Sequence, residues 1–174
     1  MDQFLFHPKV VHMPMALAVL MPLLTGGVLL AWWRGWFDRR VWVIVVLTQV
    51  ALAGSGLVAM NAGEAEEERV EKVVAERYIE AHAEAAEAFM WASAIVLALM
   101  FLPLVLPKGR LRGTAAVGAL LGTIVVLGLG VRAGEAGGRL VYEHGAARAY
   151  TTGGALPAEG SDLGDAEADG DSDD

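Results

Sequence analysis

The chain has no cysteine. That excludes disulfides, thiolate metal sites, iron–sulfur clusters and covalent c-type haem attachment, each of which needs protein sulfur. Charge is also scarce. Only 20% of the 174 residues are charged, against about 25% in an ordinary soluble domain. No basic, aromatic-interleaved face is present, so nucleic acid is not an expected partner. The patterns H-E-x-x-H, G-x-S-x-G, the phosphate loop and paired Glu-x-x-His are all missing, which leaves no familiar hydrolytic, phosphate-binding or di-iron constellation.

Apolar residues are abundant, making up 55% of the chain at a mean hydropathy of +0.47. They gather into four runs nearly free of ionisable groups, roughly His12–Trp33, Val41–Met60, Ala88–Leu106 and Gly113–Val131. About 20 apolar residues in a helix cross a hydrocarbon core of about 30 Å, and an isolated strand would leave its backbone groups unpaired in lipid. The expected fold is therefore all-α: an integral membrane four-helix up-down bundle over residues 1–150. The first run is twice the length of a signal-peptide core and lacks a positive leader, so it reads as a span.

Six cations fall in the two short links, Arg34, Arg39 and Arg40 in 34–40 and Lys108, Arg110 and Arg112 in 107–113, against the single anion Asp38. Cation-dense short links stay cytoplasmic, which puts both termini on the outer face of a prokaryotic cytoplasmic membrane. Trp32, Trp33, Trp36 and Trp42 read as an aromatic belt at the inner interface. Gly26, Gly27, Gly54, Ser55, Gly118, Gly122, Gly130, Gly134 and Gly138 offer small surfaces for close helix approach. Pro22 and Pro103 read as structural, and Gln49 as an interhelical hydrogen-bonding group. Ser93 and Thr25 lie within spans with no base in register.

Residues 62–87 are rich in Ala, Glu, Lys and Arg and read as an outward helical extension, broken from the second span at Gly63. Val70, Val74, Tyr78, His82 and Phe89 form its apolar stripe, with Glu76, Glu80, Glu84 and Glu87 on a neighbouring solvated face. Residues 151–174 hold eight acids, five glycines, no cation and no aromatic residue. Such a segment is expected to be a disordered acidic tail.

Histidine is the informative rarity. The four in the chain, His7, His12, His82 and His144, all fall on the outward side once the four crossings are drawn. Imidazole is the commonest metal ligand and an axial haem ligand. His7 and His12, five apart, would diverge on a regular helix, although Pro8 and Pro14 suggest an irregular start. The expectation is a site at which two histidines hold haem b, or three or four bind zinc or copper with Glu84 as carboxylate partner or ligand. Met13 and Met15 offer thioethers to copper or, more simply, pack in the core. An electron-transfer or binding protein is expected rather than a stand-alone enzyme. The alternative is a non-catalytic membrane assembly or scaffold protein with structural histidines. A histidine-protonating transporter is less favoured, since no charge lies mid-span.

The opening His7-Pro8-Lys9-Val10-Val11-His12-Met13-Pro14, the middle Ala62-Gly63-Glu64-Ala65-Glu66-Glu67 with His82, and the closing Gly137-Gly138-Arg139-Leu140-Val141-Tyr142-Glu143-His144-Gly145 resemble an uncharacterised bacterial four-span membrane domain, domain of unknown function 2231. The resemblance runs to about Tyr150. It implies a redox neighbourhood, with a Rieske-type protein or a cytochrome as partner beside the lipid bilayer, and the same four histidines as its site. It implies no activity, and a homo-oligomer is left open.

Overall fold

The computed structural model describes residues 10–151, with the side chains of 150 and 151 left aside. His7 and the acidic tail beyond Thr151 lie outside these residues. All of the regular structure described is helical: α1 (His12–Trp33), α2 (Trp42–Val70), α3 (Glu76–Val105), α4 (Arg110–Tyr142) and the short α5 (Arg148–Thr151), with a 3-10 turn at Arg39–Val41. Each of the first four is long and apolar enough to cross a membrane. Each packs on its neighbour in sequence, and α1 also packs on α4, closing a ring.

Burial follows a repeat of alternating threes and fours. On α4 the buried positions are Arg112, Ala116, Ala119, Thr123, Val126, Gly130 and Ala133; on α3 they include Phe89, Ser93, Val96, Met100 and Pro103. This repeat keeps one seam against a partner in left-handed helix pairing. The opposite faces carry exposed Leu23, Leu47, Ile95 and Val125. Pro22 and Pro103 remain inside continuous helices.

Several expectations need correction. Gly63 does not break the chain; α2 runs through it to Val70. One glycine costs a helix only about 1 kcal/mol relative to Ala, and the surrounding Ala and Glu residues favour helix. The reversal comes at 71–75, where Ala75 is extended and Val74 and Ile79 bury together across the first turn of α3, a hydrophobic staple. Residues 62–87 are thus the ends of two long helices joined by a turn. Val70 and Val74 share no helix with Tyr78 and His82, yet they meet Tyr78, Ile79, Leu140 and Ala146 in a small second core.

The glycines divide. A Cβ on Gly122 would stand 2.6 Å from Val96 Cγ2, one on Gly130 3.2 Å from Phe89, and one on Gly134 3.3 Å from Met15 Cε; Gly26 makes ordinary contact with Leu120. Gly27, Gly54, Gly118 and Gly138 face open space, whereas Gly56 and Gly137, which the small-residue pattern omits, are tightly packed against Met90 and His82. Gly35 is required for its conformation: at φ +72 it lets the Gly35 and Trp36 amides reach the Trp32 and Ala31 carbonyls, a Schellman stop for α1.

The four tryptophans read as a belt differ in exposure. Trp33 and Trp36 are exposed, but Trp42 is only 1% exposed. Its Nε1 donates to the Met100 carbonyl at 2.9 Å, and Trp32 packs with its ring centroid 6.1 Å away. An indole satisfied by a neighbouring helix gains more from packing than from the interface.

Candidate functional site

The ring of helices carries His12 at the start of α1, His82 near the start of α3 and His144 just past α4 to one end of the molecule. His12 is exposed. It occupies a regular first helical turn, with the Met15 amide reaching the Val11 carbonyl, so the double-proline start is helical from His12 onward. Met13 is exposed, while Met15 packs beneath it against Gly130 and Gly134 of α4.

His82 is half-buried and lies against Gly137, where a Cβ would come within 3.0 Å of its Cε1. Its Nδ1 is 3.1 Å from the Ala133 carbonyl. A carbonyl only accepts, so this bond places a proton on Nδ1 and, in the neutral ring, the lone pair on Nε2. The missing side chain at Gly137 lets the imidazole settle onto α4.

His144 is also half-buried. Gly145, at φ +70, turns the chain so that the Ala146 amide returns to the Leu140 carbonyl at 2.9 Å. The turn lays the His144 ring on Tyr78, with centroids 3.6 Å apart and planes 15° from parallel. Arg77 covers the same tyrosine, its Cζ 4.6 Å from the ring centroid and its Nη2 donating to the hydroxyl at 2.9 Å. The imidazole, phenol and guanidinium tie the end of α4 to the beginning of α3.

Among the described residues, no three His, Asp or Glu side chains converge to hold a metal ion. Glu76, Glu80, Glu84 and Glu87 are all exposed, and Glu87 accepts a hydrogen bond from the Trp91 indole at 3.2 Å. His82 and His144 therefore reach the same end of the molecule through different contacts. One bonds a helix carbonyl and the other stacks on a ring.

No family model, curated protein or solved structure matches this chain. The resemblance to domain of unknown function 2231 stands on the three quoted motifs alone.

A second group of polar residues lies mid-helix. Thr25, Gln49, Ser93 and Thr123, one from each long helix, are completely buried. Gln49 Nε2 donates to the Ser93 carbonyl at 3.1 Å, the interhelical bond expected of it. Ser93 and Thr123 donate to the Phe89 and Leu120 carbonyls of their own helices. Thr25 Oγ1 and Gln49 Oε1 have no hydrogen-bond partner among the described residues. Thr25 and Gln49 each stand seven residues from the packed Trp32–Trp42 pair, which puts them on the same seam. Thr123 belongs to no motif in the sequence; the three-and-four burial repeat on α4 is the signal that marks it.

Proposed function

We propose that the chain is an integral membrane protein, an up-down four-helix bundle with its cation-rich links in the cytoplasm and its histidine-bearing end outward. In this reading it serves as a membrane assembly or scaffold protein whose imidazoles fasten helix ends. One observation carries it: the half-buried histidines are both engaged in helix-to-helix contacts, His82 on the Ala133 carbonyl and His144 on the Tyr78 ring. The exposed Glu84 fits a solvated face better than a ligand sphere.

A second reading retains haem b or a zinc or copper ion and electron transfer with a Rieske-type protein or a cytochrome. It draws on the backbone carbonyl at His82 Nδ1, an arrangement that orients ligating imidazoles. It also draws on the Met15 thioether, which packs along the same glycine-lined stretch of α4 and suits copper.

Protein purified in detergent from cells supplied with haem and metals separates the two. The structural reading expects no Soret band and no stoichiometric metal by elemental analysis. A Soret band that shifts on dithionite reduction, or stoichiometric zinc or copper, lost in His82→Ala, would overturn it in favour of the second.

A further inference from the structure

Six cations and one carboxylate occupy the two links at the end opposite the histidines. Two of the cations are fixed by the fold. Arg39 Nη1 reaches the Leu104 carbonyl at 3.3 Å, and the Arg112 guanidinium, 6% exposed, turns back onto the Leu106 carbonyl. These carbonyls belong to the last turn of α3 and its cap, just before Pro107, which has no amide proton to offer. They are neutral acceptors, so both positive charges remain uncompensated.

Arg34, Arg40, Lys108 and Arg110 are exposed. Arg34 lies 5.9 Å over the Trp36 ring. The ion pair formed within the described residues, Arg139 with Glu135, lies at the far end. Among the described residues, none of the four link cations has a carboxylate within salt-bridge distance. Large apolar side chains are exposed beside them: Trp33 at the end of α1, Trp36 and Phe37 on the link that follows, and Leu111 on α4. Leu30 and Val105 carry that apolar surface onto the outer faces of α1 and α3.

We propose that this end binds the headgroup of an anionic phospholipid, with Arg34, Arg40 and Arg110 on the phosphate and Trp33, Trp36 and Phe37 against the glycerol and upper acyl chain. The inference rests on the membrane reading above. Guanidinium groups suit phosphate because they offer paired donors at fixed geometry, and clusters of four to eight cations beside a membrane helix attract acidic lipid. A soluble polyanion would meet the arginines alone and make no use of the adjoining exposed Trp33, Trp36 and Phe37. A lipid covers both.

The test is lipid retention and thermal stability of the purified full chain in detergent, with phosphatidylglycerol, phosphatidylcholine of the same acyl chains, or glycerol phosphate added. Phosphatidylglycerol is expected to survive as a bound adduct in native mass spectrometry and to raise Tm more than phosphatidylcholine. Arg34→Gln/Arg40→Gln should weaken the preference at least tenfold at unchanged helicity, and Arg110→Gln should weaken it by less. Lys72→Gln/Arg132→Gln, with the same loss of charge at the other end, should keep it. Equal retention of the two lipids, equal loss in the two double variants, or an equal Tm rise from glycerol phosphate would overturn the proposal. A chain that stays dispersed without detergent would refute the membrane reading separately, whatever phosphatidylglycerol does.

Discussion

The two ends of the molecule are held by different means. At the cation-rich end, side-chain donors reach across helices to backbone carbonyls: the Trp42 indole to Met100 and Arg39 to Leu104. The main core, from Ala18 and Leu29 through Trp42 to Met100 and Ala116, continues into that end. At the histidine end the helices outrun that core. What joins them is Val74, Ile79, Leu140 and Ala146, with the Tyr78–His144 stack at the edge. Between helices in lipid, close packing and interhelical hydrogen bonds hold the bundle rather than exclusion of water, so stability should be concentrated at the first end and thin out toward the second. Rigidity, on this argument, belongs to the charged links and adaptability to the imidazoles.

The sharpest way to break that contrast is Trp42→Ala. Truncating a large, fully packed aromatic costs about 3–5 kcal/mol, read as a shift in the denaturant midpoint of unfolding in detergent. Trp42→Phe keeps most of the ring and removes the bond to Met100. It should cost closer to about 1 kcal/mol, since interhelical hydrogen bonds in membranes average roughly 0.6 kcal/mol. If the two variants were equally damaging, the indole bond rather than packing would hold this end.

A middle-sized effect tests the centre. Gly122→Ala would press a methyl to 2.6 Å from Val96 Cγ2, while Gly56→Ala would press one to 2.5 Å from Met90 Sδ. The distances are alike but the neighbours are not. Valine is stiff at χ1, whereas methionine has three rotatable bonds and can swing away. Overpacking at Gly122 should cost about 1–3 kcal/mol and at Gly56 less than about 1 kcal/mol. Thermal unfolding of the two variants side by side gives the ranking, and a larger loss at Gly56 would contradict it.

What sequence made legible follows from the length scale of each signal. Four long apolar helices could be read because some 20 consecutive residues contribute to each, and Gln49 could be assigned to a helix-to-helix bond because a lone amide in such a run has few other uses. Gly63 was misleading for the opposite reason. The chain reverses where Val74 and Ile79 find each other, a choice made by tertiary burial and invisible in the propensity of single residues. Trp42 looked interfacial because composition locates a residue along the helix and says nothing of the direction it faces. Among the described residues, His12, His82 and His144 lie at one end of the four long helices. Which ring meets a carbonyl and which meets a tyrosine depends on Gly137 and Gly145, whose missing side chain and positive φ act only in three dimensions.

The smallest expected effect falls at the histidine end, and there location says more than magnitude. His144→Ala removes one member of a stacked pair of the kind worth about 0.5–1.5 kcal/mol. Partial solvent exposure should hold the loss in global stability near the bottom of that range. Local opening is governed by local contacts, and segments with few buried apolar neighbours open well below the global free energy. Amide hydrogen exchange should therefore quicken over residues 136–146 and in the turn around 73–79, which share the small core. Protection from Phe89 to Gly130 should remain unchanged. Tyr78→Ala, which removes the other half of the stack along with the platform for Arg77, should produce the same pattern with greater amplitude. Faster exchange spreading through the Phe89–Gly130 region in either variant would mean that the two ends unfold as one unit, and the contrast drawn between them would fail.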